Sequence, residues 1–205
     1  GFGEVYQTGY LDVKHFVTKF QQKLKVENLF DSVTFEYDNI NFQNDFITYK
    51  ENSFKNVIFA EGFSIENNPF FNNLPLDGTK GELLIVKIPD LKLKEIVKSN
   101  IFIIPLGNDL YKVGATYNWE DKSDEATDSA KLELLEGLRD LISCDFEVVE
   151  HLAGVRPTVK DRRPLIGTHF KHKQLHLLNG LGTRGVLLGP YLADLLFSKI
   201  EYGIE

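Results

Sequence analysis

Two short segments hold the residue types able to do chemistry. The first, Gly180-Leu181-Gly182-Thr183-Arg184-Gly185, matches G-x-G-x-x-G between an apolar run at Leu175 to Leu178 and a helical pattern from about Val186. Glycines there let the backbone approach a ligand closely, and the free N–H groups of a helix start attract negative charge. A dinucleotide-binding unit also needs a second parallel strand and an acidic residue about 20 positions on. The 205 residues leave no room for that strand, so the dinucleotide reading is set aside. Either a tight strand-to-helix turn without a ligand or a helix start aimed at an anionic or polarised group remains. The second segment is Gly154-Val155-Arg156-Pro157-Thr158-Val159-Lys160-Asp161-Arg162-Arg163-Pro164-Leu165-Ile166-Gly167. Taken singly, its Arg-Pro step is a surface-turn pattern.

Composition bounds what these segments can serve. A chain of 205 residues is long enough to bury a core, and its formal charge of −7 argues against nonspecific nucleic-acid binding. Lys160, Arg162 and Arg163 alone cluster with basic character, and they read as a short solvated turn. The single cysteine, Cys144, excludes an intrachain disulfide, CxxC redox chemistry and Cys-rich zinc sites. His169 and His172 form an HxxH pair, which needs further ligands to hold zinc; none stands nearby, so no metal is expected. Lys80, at a strand start, faces either a cavity or solvent. No apolar run reaches the roughly 20 residues of a membrane helix, and no signal peptide opens the chain. Cytoplasm is the default location.

The elements that must position these groups follow from periodicity. Gly3 to Thr8 alternates weakly as a strand. Asp12 caps a helix with Val13, Phe16, Val17, Phe20 and Leu24 on one face. Val33 to Phe35, Ile40 to Phe42, Phe46 to Tyr49 and Val57 to Phe59 read as short strands separated by turns. After an Asn/Pro-rich loop at Asn67 to Asp77 come a strand at Gly81 to Ile88 and a hairpin of Ile101 to Ile104 with Leu110 to Ala115. A helix starts at Thr127 or Asp128 and buries Leu134, Leu135, Leu138, Leu141 and Ile142. Phe146 to Glu150 and Leu175 to Leu178 are further strands, and an amphipathic helix closes the chain. This is an α+β (mixed α/β) layered fold.

Together, the two segments resemble the D-amino-acid oxidase-like family of FAD-dependent oxidoreductases, particularly its glycine and sarcosine oxidase branch. That family carries Gly-x-Arg-Pro-x-x-x-Asp-x-x-Pro-x-Ile-Gly, then a strand, then Gly-x-x-x-x-Gly-x-x-x-x-Pro, matched here by Gly180, Gly185 and Pro190. Weaker matches run in the same order along the chain. They are Thr8-Gly9-Tyr10-Leu11-Asp12, Val57-Ile58-Phe59-Ala60-Glu61-Gly62, Gly78-Thr79-Lys80-Gly81-Glu82 and Val113-Gly114-Ala115-Thr116.

The resemblance implies an antiparallel-rich substrate-binding sheet over 76–150, and a partial FAD-binding domain over 1–75 and 151–205. It implies non-covalent FAD and a small amine or amino-acid substrate, oxidised at a C–N bond by hydride transfer to flavin. Arg156 matches the family's carboxylate-binding arginine, whose planar fork pairs both oxygens. Leu181, Gly182, Thr183, Arg184, Gly185, Val186 and Leu187, with Gly180, match the segment that wraps the flavin, and Gly62 ends a strand beside it. Thr183 stands where the glycine oxidase branch has an arginine, with Arg184 adjacent. Phe102 replaces a pocket tyrosine, which points away from glycine as substrate. Family members open with a strand, a G-x-G-x-x-G turn and a helix that hold the ADP half of FAD. Gly1-Phe2-Gly3 is not that turn, so a fragment is expected, inactive alone and binding FAD weakly or not at all. The alternative is a non-catalytic binding or structural module that keeps the fold without flavin.

Overall fold

The structure is a computed structural model and describes residues 3–203. The chain divides into two compact units, Gly1–Lys55 and Asn56–Glu205. In the first, helix α1 (Val13–Val26) starts where Asp12 accepts the His15 N–H at 3.0 Å, which satisfies one of the orphan donors of a helix start. Its apolar stripe, including Phe16 and Phe20, remains exposed. Strands β1 (Ile40–Phe42), β2 (Ile47–Tyr49) and β3 (Asn52–Phe54) form an antiparallel meander around the buried Ile47.

Two expected strands do not form. Gly3 to Thr8 has no ladder partner among the described residues, and Gly1 and Phe2 of the opening turn reading lie outside them. Val33 to Phe35 stays irregular: the Phe35 ring stacks on Tyr49 at 4.5 Å between centroids, which shelters it without backbone pairing.

The second unit contains two sheets. Strand β4 (Val57–Phe59) is followed by β5 (Leu76–Lys87), β6 (Val97–Lys98), β7 (Phe102–Gly107), β8 (Leu110–Gly114), helix α2 (Asp128–Arg139), β9 (Glu147–Val159), β10 (Leu165–Thr168), β11 (Leu175–Asn179) and helix α3 (Gly185–Tyr202). The larger sheet, ordered β6-β7-β8-β5-β9, is antiparallel throughout. The smaller, ordered β10-β11-β4, pairs β11 antiparallel with β10 and parallel with β4. This is the mixed, antiparallel-rich architecture the pattern predicts. The β7–β8 turn places Asn108 and Asp109 at φ of 53° and 58°, a left-handed pair these residue types tolerate and a tight hairpin needs.

The main core lies between the larger sheet and α2. Leu84, Val86, Ile88, Ile103, Tyr111 and Val113 from the strands meet Leu134 and Leu138 from the helix. Thr127 caps α2, and both its backbone N–H and its hydroxyl donate to the Glu82 carboxylate, at 2.8 and 2.9 Å. Thus β5 fixes where α2 begins.

One correction bears on function. The Arg-Pro segment is not a turn but part of a strand, β9, which runs from Glu147 to Val159. A proline is tolerated in a strand only where its missing N–H is not needed. Strand β9 is the sheet's edge, and Pro157 sits opposite Gly78.

Candidate functional site

Side chains on a strand alternate between faces, and β5 uses both. Lys80 and Glu82 point to the face that carries Leu84 and Val86. Thr79 and Gly81 point to the other, together with Arg156, the partner of Thr79 in register. On that second face lies a hollow of about 530 Å³ lined by Thr79, Tyr117, Trp119 and Arg156, by Thr158 to Lys160 and Arg162, and by Gly180 to Arg184. That volume lies within the ~300–1,000 Å³ of small-molecule sites.

Arg156 forms its floor and is half-buried. Gly81 makes room for it, because a methyl on Gly81 would occupy the space of the guanidinium. The guanidinium lies 4.6 Å from the centre of the Tyr117 ring and donates to the Thr116 carbonyl at 3.3 Å. No carboxylate pairs with it among the described residues. Beside it, the Thr79 hydroxyl is buried without a hydrogen-bond partner. Buried polar groups are normally satisfied, so an unpaired hydroxyl beside a fork with one backbone bond and no carboxylate partner describes a surface able to take a polar ligand.

The glycine turn also lines the hollow. Gly180 and Gly182 have φ of +70° and +54°, where only glycine sits without strain. The Gly182 N–H donates to the Pro157 carbonyl at 2.9 Å, tying the turn to the outer edge of β9. The buried Asn179 braces its base, donating to the Gly62 carbonyl and accepting the Gly180 N–H, both at 2.8 Å. The N-cap of α3 is Arg184, whose side chain supplies no acceptor to the helix and instead donates to the Arg162 carbonyl. The first turn of α3 is therefore open to an external acceptor. Lys160, Arg162 and Arg184 add three cations to Arg156, and no carboxylate lines the hollow among the described residues. In a chain of charge −7, this is a local reversal of field.

The geometry gathers Arg156, Gly180, Leu181, Gly182, Thr183 and Arg184 around one cavity. Gly185, Val186 and Leu187 form the adjoining first turn of α3 outside its lining, with Val186 and Leu187 exposed. Gly62 is linked to the base of the turn through Asn179, which donates to its carbonyl. Phe102 is not brought in: it lies opposite Gly114 on β8 and covers that glycine. Lys80 faces neither cavity nor solvent. It is 1% exposed on the far face, bonded to Asp121 and to Ser123 Oγ at 3.1 Å. The hydrogen bond to Asp121 raises its pKa above the ordinary lysine value and lowers Asp121 to about 2.

Thr79, Thr158 and Lys160 lie inside matched segments without being picked out there as site residues, and Tyr117 and Trp119 lie in none. Arg156, Thr158 and Lys160 do alternate at the strand period, a signal that becomes readable once the Arg-Pro segment is taken as a strand. His169 serves the local backbone, because its Nδ1 accepts the N–H groups of Lys171 and His172 at 3.3 and 3.1 Å.

Glycine turn, uncapped helix start, cationic lining and cavity size all fit the isoalloxazine end of a flavin. The family described as FAD dependent oxidoreductase (DAO) matches residues 30–198. The glycine oxidase of Bacillus subtilis (strain 168) is 30% identical over 155 residues, covering 70% of this chain and 41% of that protein. The tRNA 5-methylaminomethyl-2-thiouridine biosynthesis bifunctional protein MnmC of Shewanella halifaxensis (strain HAW-EB4) is 28% identical over 185 residues, covering 72% of this chain and 29% of that protein. The crystal structure of glycine oxidase from Geobacillus kaustophilus superposes with a TM-score of 0.68 at 22% identity, covering 80% of this chain and 47% of that one. The chain thus spans less than half the length of each of these relatives.

Proposed function

The chain belongs to the DAO family of FAD dependent oxidoreductases, and we propose that it is the flavin-facing and substrate-binding portion of an enzyme that oxidises the C–N bond of a small amine or amino acid. The observation that carries this reading is the shared hollow. Arg156 on β9 and the glycine turn before α3 open onto the same cavity.

FAD, when bound, supplies the acceptor for the hydride that leaves the carbon of the C–N bond. The protein's part is orientation and electrostatics. Arg156 offers a planar pair of donors to a substrate carboxylate, and Tyr117 holds that plane from below. The Thr79 hydroxyl stands beside it with hydrogen-bonding capacity to spare. The uncapped N–H groups of α3 and the guanidinium of Arg184 place positive charge at the turn. That charge favours an anionic ring system by about 1 kcal/mol or more where water is excluded. An acid–base side chain is not required of the pocket wall in this scheme. The substrate-binding face belongs to the β6-β7-β8-β5-β9 sheet and the flavin-facing turn to β11 and α3.

No strand-G-x-G-x-x-G-helix unit with a following parallel strand occurs among the described residues. We accordingly expect the 205-residue chain to bind FAD weakly or not at all, and tight binding in a flavin absorbance titration would contradict this. The enzymatic reading is tested by supplying small amino acids and N-methylated amino acids anaerobically to a longer, flavin-loaded form of the protein that also carries the ADP-binding unit. Bleaching of the flavin by a substrate with a carboxylate supports it. Bleaching by amines without a carboxylate, at equal efficiency, overturns the role of Arg156.

A further inference from the structure

The hollow has a wall that the carboxylate reading leaves unused. Residues 115–127 connect β8 to α2 without regular structure, apart from a bridge that pairs Asn118 with Lys80. They are nevertheless fastened at several points. The backbones of Lys80 and Asn118 exchange two hydrogen bonds, at 2.8 and 2.9 Å. The buried Lys80 ammonium grips Asp121 and Ser123. Lys122 donates to Asp77 and to the Trp119 carbonyl, both at 2.7 Å, and to the Gly78 carbonyl. Ordering a loop and burying a lysine both cost free energy, so what the loop presents should matter.

It presents two rings to solvent. Tyr117 is 63% and Trp119 48% exposed, and both line the hollow. Tyr117 has an evident partner in the guanidinium of Arg156. Trp119 has none: its indole has no stacking partner, cation or hydrogen bond among the described residues. The loop is held firmly while the largest apolar side chain on it stands uncovered in a cavity. An aromatic surface of this kind is completed by a planar, apolar group laid against it.

We infer that Trp119 is a specificity-determining residue, and that the preferred substrate is an amino acid or N-substituted amino acid whose non-reacting group is planar and apolar. The inference rests on the carboxylate reading of Arg156. Tyr117 and Trp119 line the same hollow as the Arg156 fork, so a substrate held there by its carboxylate has both rings within the cavity it occupies. Glycine would leave that wall bare. Tyr117 acts as a positioning residue for Arg156, and the Lys80–Asp121 pair on the far face of β5 fixes the loop that carries both rings.

The test needs no turnover. Trp119 is the only tryptophan in the 205 residues, so its emission reports on this wall alone. N-benzoylglycine and N-acetylglycine share the carboxylate and, being amides, resist oxidation of the amine; they differ in the planar group. We expect N-benzoylglycine to bind the chain about tenfold more tightly and to shift the Trp119 emission. Measured by calorimetry, Trp119→Phe should keep most of that preference and Trp119→Ala should abolish it. Equal affinity for the two ligands, or a preference that survives Trp119→Ala, overturns the inference while leaving Arg156 in its role. Binding of both ligands that is indifferent to Arg156→Lys overturns the carboxylate reading instead, and the inference with it.

Discussion

The two faces of β5 treat polar groups in opposite ways. On one, Lys80 and Glu82 are buried and matched: Lys80 to Asp121 and Ser123, Glu82 to Thr127, with the His151 ring nitrogen 2.9 Å from its carboxylate though out of hydrogen-bond alignment. On the other, the Thr79 hydroxyl has no partner and Arg156 makes one bond to a backbone carbonyl. The same strand therefore builds a closed layer and a receptive one. Burying a charge is tolerated only when it is paired, and the protein itself pairs Lys80 and Glu82 on the closed face, where His151 Nε2 alone of the named groups lacks an aligned partner. The difference marks the site more sharply than any single residue type.

If this division holds, substitutions on the two faces should separate stability from binding. The largest expected effect is on the closed face. Leu134 is fully buried against the β5 side of the core, and Leu134→Ala should cost about 2–5 kcal/mol in urea unfolding. The affinity of the folded protein for N-acetylglycine should not change. On the receptive face, Arg156→Lys should leave the unfolding midpoint nearly unaltered. It should raise the KM for an amino-acid substrate, in the longer flavin-loaded protein, by about 10- to 100-fold, since an ammonium cannot reproduce the fork. A variant that lost stability and kept its KM would reverse the assignment of the faces. Gly81→Ala is a milder probe of the same surface. The added methyl needs the space of the guanidinium, whose long side chain can swing away. A rise in KM of about three- to tenfold with little loss of stability is expected, read by the same two measurements.

How much of this is legible in the sequence follows from the same two faces. The family motifs around Arg156 and Gly180 to Gly185 are local, so they point to a shared hollow without any knowledge of register. Helices α1, α2 and α3 are marked by Asp12, Thr127 and the apolar spacing near Leu188. The length of β9 is hidden because Pro157 reads as a strand breaker, and only its edge position makes it tolerable. Strand β10 is hidden too, since four half-buried residues, Leu165 to Thr168, are too few for a period to show. The sequence leaves Lys80 at a cavity or in water because nothing in it announces that Asp121, 41 residues later, returns to meet it. Which of Thr79 and Lys80 faces the hollow depends on register, and a shift of one residue exchanges the faces. The aromatic wall is invisible for the same reason: Tyr117 and Trp119 reach the hollow through that long-range tie.

Protons offer the gentlest way to separate the matched groups from the rest of the fold. The histidines His169 and His176 are buried beside the smaller sheet, and burial lowers both pKa values, with His172, Lys171 and Lys173 adding to the effect on His169. His176 bridges Thr168 Oγ1 at 2.9 Å and Asn56 Oδ1 at 3.0 Å. Because both rings resist protonation when folded, the unfolded chain takes up more protons below its ordinary histidine value near 6.5. Stability is then complete above that pH and declines as pH falls through it. Asp121 behaves alike in sign but in a different window: its contribution is present above 3.8 and disappears only as pH approaches about 2. Between about pH 7.5 and 5 the thermal midpoint should therefore fall as His169 and His176 gain protons on unfolding. His176→Gln should flatten that slope, whereas Asp121→Asn should lower the midpoint throughout the range and leave the slope as it was. If Asp121→Asn flattened the slope instead, the closed face would carry the pH response, and the pairing of Lys80 would be looser than the geometry shows.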